Sequence, residues 1–482
     1  ELSGEVAAFS EALPGAERHD ERHAATLWRR SGSRALRKSR PLLSEAGALF
    51  ALATPLALAG LVSMGLSITD VVMMGWLGPT SRAAGAAASD LYSIFFYLGA
   101  GVLQAVSPLV AGARGAGRHS DVTRSVRQGM WAAIAVAVPG AVAVWHADAI
   151  LAALGVVPEI AAAARPYARM MAITFLPMAG VMLLRQTLAA CGRPRAFFWA
   201  MVGAVPLNAL GNWVLMDGRL GAPRLGLAGI GLSSALVATF LMATLALSIG
   251  RDPELRGYRF FAELPRPEWR RLVEIFRIGG PIGAGNLGEM GVFLFSTVIL
   301  GTLGVEVLAG HAVALRMAGV LYAWPMGLAQ AAMVRIALGA GAGDRAAVRQ
   351  SAGVALASAT AVGVVLLVGV LCFRDAITGA FLDRGSSAFG LAAVFLLVLA
   401  VMQPVETLAT TAAGALRGLC DTRLPMIVLL AGHWGIGFST GLALAFWVGL
   451  GGLGIWIGLA TGSTVVAVAM TARLRSRVKG EG

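Results

Sequence analysis

The stretch GGPIGAGNLGEMGVFLFSTVILGTLG, residues 279–304, decides how this chain must fold. It is 26 residues long and contains one ionisable side chain, that of Glu289. An apolar run of this length can cross a bilayer, which needs about 20 residues. At 1.5 Å per residue, Glu289 lies ~22 Å before Gly304, close to the middle of the membrane. A carboxylate at that depth is costly, so it indicates a functional site unless it snorkels or pairs structurally.

The composition of the whole chain agrees with a membrane protein. Of its 482 residues 57% are hydrophobic and 13% are charged, whereas soluble domains carry about 25% charged residues. The net charge is +13 and nearly all the basic residues are arginines. These arginines lie mainly in loops between apolar runs, which is the positive-inside pattern and not a nucleic-acid-binding surface. The three cysteines have unrelated spacings and predict neither a metal site nor a disulfide framework.

The apolar runs predict an all-α membrane protein with about twelve transmembrane helices. Loops near residues 114–127, 193–195, 345–349 and 417–423 are rich in arginine and the alternate loops are poorer. This asymmetry places both termini in the cytoplasm. The predicted spans lie near residues 47–77, 83–112, 124–147, 165–190, 196–217, 225–250, 278–303, 308–338, 346–372, 387–416, 424–448 and 451–473.

Polar segments divide the chain into five parts. Residues 1–46 form a polar, basic cytoplasmic tail, which either contacts anionic lipid or has no role. Residues 47–250 form a first six-helix lobe and residues 278–475 a second, followed by a short cytoplasmic tail, 476–482. The linker between the lobes, 251–277, ends in an amphipathic stretch, 267–277, that we expect at the inner membrane interface.

The two lobes repeat each other in sequence. A shift of 226 residues aligns prolines, glycines and glutamines over a long segment without a gap, which low-complexity Ala/Gly sequence alone would rarely do. Each half has six spans, an even number, so the repeats run parallel around an axis along the membrane normal, with a central cleft between them. The aligned pairs include Pro55 with Pro281, Gly78 with Gly304, Gly101 with Gly327, and Gln104 with Gln330.

Three acidic side chains lie within apolar spans: Asp70, Glu289 and Glu406. A carboxylate removed from water favours a bound proton, metal cation or organic cation, so an ion and a substrate can compete for one site. In the fifth span, Asn208 and Asn212 are four residues apart and share a helix face. Their amide oxygens can complete a cation site with Asp70; the alternative is that they hydrogen bond between helices as packing contacts.

Several motifs together are typical of one transporter family. The loop DGRLGAPRLGLAGIG, residues 217–231, and the segment AAGALRGLCDT, residues 412–422, resemble its signatures. The acids and amides follow its spacing too: Asp70 fifteen residues after Pro55, Glu289 eight after Pro281, and Asn208 and Asn212 before Trp213. From residue 47 to about 475 the chain resembles the multidrug and toxic compound extrusion (MATE) family, and within it the NorM type.

The resemblance implies two ion- or substrate-binding sites. One in the N-terminal lobe comprises Asp70, Asn208 and Asn212, and one in the C-terminal lobe comprises Glu289, Glu406 and position 402. In the tenth span the NorM type usually has Asp where this chain has Glu406, and Tyr where it has Met402. Both departures lie where the family binds sodium. The expected coupling ion is therefore a proton, with Na⁺ at Glu289, Glu406 or Asp70 left as the alternative.

Three further positions carry weaker hypotheses. His311 can relay protons, or it can be a neutral packed histidine. The 226-residue shift also places Asp90 on Arg316, at matching depths in spans two and eight. If both face the axis they can form a latch that closes the outer side. The alternative is that Arg316 snorkels to headgroups while Asp90 caps nearby backbone.

The function that the resemblance implies is secondary active efflux of organic, mainly cationic compounds in exchange for H⁺ or Na⁺. It also implies an inner-membrane protein, which we expect to be monomeric and without a cofactor. A second hypothesis is a flippase for lipid-linked saccharides or a peptidoglycan precursor, but such a pyrophosphate substrate needs a cationic cleft. A third hypothesis is an intramembrane aspartyl protease, but this would need a second Asp deep in the membrane and the sequence has only Asp70 there. The sequence also has no Walker A motif, so direct use of ATP is not predicted.

Overall fold

The computed structural model describes residues 42–262 and 266–480, and every regular element in those ranges is helical. Twelve helices are long and apolar enough to cross a membrane, which confirms the predicted architecture. They are α1 (Leu42–Trp76), α2 (Pro79–Gly115), α3 (His119–Trp145), α4 (Pro158–Ala190), α5 (Pro194–Asp217), α6 (Leu227–Arg251), α7 (Trp269–Thr302), α8 (Val305–Gly341), α9 (Arg345–Phe381), α10 (Ser387–Gly418), α11 (Arg423–Trp447) and α12 (Gly452–Lys479).

The sequence repeat is also a repeat of backbone conformation. Gly78 and Gly304, which precede α2 and α8, both have positive φ, 101° and 123°. Gly117 and Gly343, which follow the same two helices, have φ of 71° and 69°. A side chain with a Cβ rarely adopts such angles, so glycine at these turns fixes where each helix begins and ends.

Several helices extend beyond their predicted ends, among them α1 and α7. The described part of α1 begins at Leu42, so residues 42–46 are helical rather than part of the tail. Helix α7 begins at Trp269, so most of the amphipathic stretch belongs to this spanning helix and not to the linker. Leu272 is buried against the protein, whereas Trp269 on the same helix face is 75% exposed. The apolar side chains of this stretch lie on one helix face, as their spacing predicted. Neighbouring helices cover only part of that face.

The lobe of α1–α6 and the lobe of α7–α12 meet through α1 against α8 and α2 against α7. We call the end of the bundle with Leu42 and Lys479 the terminal end, and the end with Trp76 and Trp447 the opposite end. Gly341 packs on the backbone of Gly112 so closely that a Cβ would overlap the carbonyl. Further along the interface, Gly327 of α8 packs on Ala53 of α1 in the same way, with a Cβ 2.7 Å from the Ala53 carbonyl oxygen. Small residues therefore bring the lobes together in the half of the membrane nearer the terminal end.

Buried polar contacts join the lobes in that same half. Arg335 of α8 forms an ion pair with Glu45 of α1 through two of its nitrogens. The Ser351 hydroxyl of α9 donates to the same carboxylate, with an O–O distance of 2.7 Å. We call Glu45, Arg335 and Ser351 the seam cluster. Its carboxylate is buried and accepts hydrogen bonds from donors of the other lobe, so separating the lobes here would break these contacts.

Two glutamine contacts lie farther from the terminal end in the same interface. The Gln330 amide of α8 donates to the Gln186 oxygen of α4 at 2.6 Å and to Ser107 at 3.2 Å. The Arg417 guanidinium of α10 donates to the Gln104 oxygen of α2 at 2.9 Å. Gln104 and Gln330 are the pair that the repeat aligns, and both connect one lobe to the other.

Candidate ion and substrate sites

The predicted N-lobe residues do come together. One Asp70 carboxylate oxygen accepts hydrogen bonds from the Asn208 and Asn212 amides, at 3.1 and 2.7 Å. The other oxygen accepts from the Ser234 hydroxyl of α6 at 3.4 Å. Both asparagines are buried, whereas Asp70 is half-buried. The site is thus a single carboxylate held by three donors from two helices.

The direction of these hydrogen bonds differs from the predicted cation site. The asparagines present N–H groups to Asp70, and N–H donors stabilise the ionised carboxylate instead of coordinating a cation. Asn212 keeps its amide oxygen buried without a hydrogen-bond partner. That oxygen can accept the proton of a protonated Asp70, or face a cation, once the amide rotates. The geometry therefore suits a carboxylate that changes its charge in place.

The predicted C-lobe acids also lie in one site. Glu289 of α7 and Glu406 of α10 are close enough for the charge of one to act on the other. The Thr410 hydroxyl, one turn after Glu406, donates to it at 3.3 Å. The Tyr322 hydroxyl of α8 lies near the Glu289 carboxylate. Met402 is buried one turn before Glu406 on the same helix.

Tyr322 compensates in part for the methionine at position 402, where the NorM type usually has tyrosine. The sequence suggested that Met402 removes a tyrosine oxygen from this site. The structure supplies a tyrosine oxygen from another helix, next to Glu289 instead of Glu406. The site therefore retains a neutral oxygen ligand, although its position differs from the one expected by resemblance.

Helix α11 shapes one wall of the C-lobe site. Its segment Ala431–Phe438 is wound as a π-helix, a form that is rare and often found at functional sites. The Trp434 indole N–H donates to the backbone carbonyl of Gly288 at 2.9 Å, one residue before Glu289. The Phe295 ring, which is 52% exposed, lies edge-on to the Trp434 ring, with 5.3 Å between centroids. Trp434 and Phe295 thus form an aromatic pair on the part of α7 that carries Glu289.

The remaining predicted residues lie apart from these two sites. His311 is fully buried; its Nε2 is 2.9 Å from the Thr297 hydroxyl and its ring packs on Trp456. Asp90 and Arg316 are both exposed, and among residues 42–262 and 266–480 no ion pair joins them. His311 therefore has the contacts of a packed histidine, and the latch is not formed in this conformation. The relay and the latch stay predictions.

Sequence reasoning missed several residues that the structure places at these sites or between the lobes. Ser234 bonds Asp70 and Tyr322 lies near Glu289, but each is on a different helix from that acid and 33 or more residues away. Glu45 fell within the predicted tail, residues 1–46, because the first span was predicted to begin at residue 47. The only sequence signal was a polar side chain in an otherwise apolar run. Within the described part of the chain, no cluster of three His, Cys, Asp or Glu side chains has the geometry of a metal site.

The comparison with known families decides the classification. The MatE family model matches residues 55–214 and 281–442, two segments that begin 226 residues apart. This chain belongs to the MatE family. The two matched segments also confirm the sequence repeat, since each starts at the proline that the repeat aligns.

Curated MatE relatives are similar over nearly their whole length. The chain is 37% identical over 438 residues to a "Probable multidrug resistance protein NorM" of Mesorhizobium japonicum, covering 89% of this chain and 93% of that protein. It is 36% identical over 431 residues to "Multidrug resistance protein NorM" of Burkholderia vietnamiensis, covering 88% and 92%. The resemblance to the NorM type is confirmed.

Solved MatE structures share the fold. The eukaryotic MATE transporter AtDTX14 superposes with a TM-score of 0.79 at 21% identity, covering 91% of this chain and 99% of that one. The bent form of VcmN from Vibrio cholerae superposes with a TM-score of 0.80 at 16% identity, covering 91% and 98%. This MatE protein is thus a multi-pass membrane transporter whose relatives carry multidrug-resistance names.

Proposed function

We propose that this MatE protein exports organic, mainly cationic compounds in exchange for an inward-moving ion, and that the ion is a proton. The observation that supports this most is the placement of carboxylates within spanning helices of both lobes. Asp70 is held by donors of α5 and α6, and Glu289 and Glu406 interact beside an aromatic wall. A carboxylate site shared by a proton and an organic cation is the physical basis of exchange.

The shape of the bundle supports alternating access. The named contacts between lobes lie in the half nearer the terminal end, while Asp90 and Arg316 toward the opposite end are exposed. With both termini in the cytoplasm, as the arginine distribution predicts, the end at which these contacts join the lobes is the cytoplasmic one. Export then requires a second state in which the seam cluster has separated.

The proton is favoured for two reasons. Around Asp70 the neighbouring amides present N–H groups, which suit an anion or a protonated acid better than Na⁺. Next to Glu406 the side chain at 402 is a thioether, a soft ligand that a hard cation such as Na⁺ avoids. The Tyr322 hydroxyl keeps sodium as the alternative, since it gives the C-lobe site an oxygen besides the carboxylates.

The experiment that tests this proposal uses purified protein in proteoliposomes loaded with a fluorescent organic cation. Transport is measured under a pure proton gradient and, separately, under a pure sodium gradient. We expect the proton gradient alone to drive transport. Strict dependence on sodium at constant pH would reject proton coupling, and transport under neither gradient would reject the antiport itself.

The flippase alternative gains no support from the site. A pyrophosphate substrate needs several basic groups at the centre of the cleft, whereas the C-lobe site holds two carboxylates, Glu289 and Glu406, with one arginine, Arg417, near Glu289. We further propose that the protein is a monomer in the cell inner membrane, without a cofactor.

A further inference from the structure

A cavity of about 510 Å³ lies at the terminal end, between the two lobes. Its walls come from α1, the ends of α2 and α4, the start of α5, the end of α6, and α8. This volume lies within the ~300–1,000 Å³ range of pockets that hold one small ligand. It is separate from the acid sites, since it contains none of Asp70, Glu289 and Glu406.

Four guanidinium groups line this cavity: those of Arg114, Arg193, Arg195 and Arg335. Three of them already bind carboxylates. Arg114 pairs with Glu254, Arg193 with Asp252 and Glu254, and Arg335 with Glu45. Arg195 forms no hydrogen bond or ion pair with any residue in 42–262 or 266–480. Among the described residues of this cavity and their partners, four positive groups and three carboxylates leave one net positive charge.

The charge balance of the cavity treats Asp252 as ionised. Burial raises its pKa, but hydrogen bonds from Arg193 and from the backbone N–H groups of Leu255 and Glu254 outweigh burial and lower the pKa below its usual value. The net charge of the cavity is therefore that of one uncompensated arginine. A single monoanion would balance it.

The rest of the wall is apolar. Ala48, Leu52, Leu188, Val334 and Leu338 face the cavity from three helices. Ala48 and Leu52 lie six and ten residues from the start of described α1, or ~9–15 Å along its axis. The cavity is therefore at the level where lipid headgroups meet acyl chains. A small inorganic anion would leave this apolar surface without a partner.

We propose that the cavity binds one anionic phospholipid, with its phosphodiester at Arg195 and its glycerol and upper acyl carbons on the apolar wall. A phosphodiester carries one negative charge and accepts hydrogen bonds from a guanidinium. Zwitterionic lipids add an ammonium group, so their zero net charge would leave the positive charge of the cavity unbalanced. The ligand would contact both lobes at once, so it would favour the conformation in which they are joined at this end.

The test measures lipid binding and does not depend on transport. Delipidated protein is mixed with equal amounts of phosphatidylglycerol and phosphatidylcholine, and retained lipid is counted by native mass spectrometry. We expect one phosphatidylglycerol to be retained in preference, and Arg195→Ala to weaken its binding about fivefold, the contribution of one basic residue near an anionic lipid. Ala48→Phe, which fills the apolar part without changing charge, should weaken it too.

Arg118→Ala is the matched control, because Arg118 is at the same end, outside the cavity and 65% exposed. It should leave retention unchanged. Equal retention of the two lipids, or equal losses in Arg195→Ala and Arg118→Ala, would overturn the proposal. Displacement of the lipid by inorganic phosphate alone, with no effect of Ala48→Phe, would show a free-anion site and would also overturn it.

Discussion

The seam cluster should control how readily the terminal end opens, and Glu45→Gln isolates its charge. The substitution preserves the volume of the side chain but leaves Arg335 without its buried partner. Removing one member of a buried ion pair costs about 3–5 kcal/mol. Here Arg335 is 21% exposed and Gln can still accept one hydrogen bond, so we take a smaller cost, about 2 kcal/mol.

This cost destabilises only the state in which the lobes are joined at the terminal end. It therefore shifts the equilibrium toward the state that is open at that end. A cost of about 2 kcal/mol lowers the closed-to-open ratio at the terminal end roughly 30-fold. If the wild type is about 99:1 closed, the variant is about 3:1. The open fraction then rises from about 1% to about 25%.

The assay is the labelling rate of a cysteine at position 53. Ala53 is fully buried in the interface and packs under Gly327, so Ala53→Cys reacts with a water-soluble maleimide only when the terminal end opens. The three native cysteines are first replaced by serine. In this background, Glu45→Gln should raise the labelling rate by roughly 25-fold, in proportion to the open fraction.

Asp421→Asn is the matched control. Asp421 is a buried acid at the same end, paired with Arg473 inside one lobe, so its loss should not change labelling at position 53. The exchange Glu45→Arg with Arg335→Glu should restore slow labelling. An unchanged rate in Glu45→Gln, or an equal rise in Asp421→Asn, would refute the role of the seam cluster.

Three further sets of substitutions test the latch, the choice of ion and the contact between the lobes. Asp90→Arg and Arg316→Asp should each impair efflux and their combination should restore much of it; a double variant no better than the worse single one excludes the latch. Met402→Tyr should make efflux sensitive to sodium, whereas Tyr322→Phe should lower any residual sodium response; if neither changes the sodium dependence of proteoliposome transport, oxygen ligands at these positions do not select the ion. Gly341→Leu should hold the lobes apart at the terminal end, because a Cβ there overlaps the Gly112 carbonyl, and it should therefore abolish efflux and expose position 53 to maleimide; normal transport would show that this contact is dispensable.

Much of the fold could be predicted because membrane insertion depends on properties that are local in sequence. Apolar length predicted the twelve helices, and the 226-residue shift predicted the repeat that the family model and the paired glycine turns confirm. Asp70 and the two asparagines were also grouped correctly, because the spacing of Asn208 and Asn212 places both on one face of α5.

Contacts between distant helices could not be predicted in this way. Ser234 and Tyr322 complete the two acid sites from neighbouring helices, and nothing in their local sequence distinguishes them from packing residues. Glu45 lies just before the predicted start of the first span, yet Arg335, 290 residues later, holds it in the interface. The direction of the amides at Asp70 was missed for the same reason, since it depends on the hydrogen bonds of all three neighbours together.

An organic cation and a proton should compete for the same carboxylates. The most direct measurement is proton release when a cationic substrate binds to purified protein in weakly buffered solution, compared between the wild type and Glu289→Gln. The account predicts that binding releases protons, that substrate affinity falls as the pH is lowered, and that Glu289→Gln diminishes both effects while the protein still folds and inserts. Substrate binding that releases no proton and has the same affinity at every pH would contradict it.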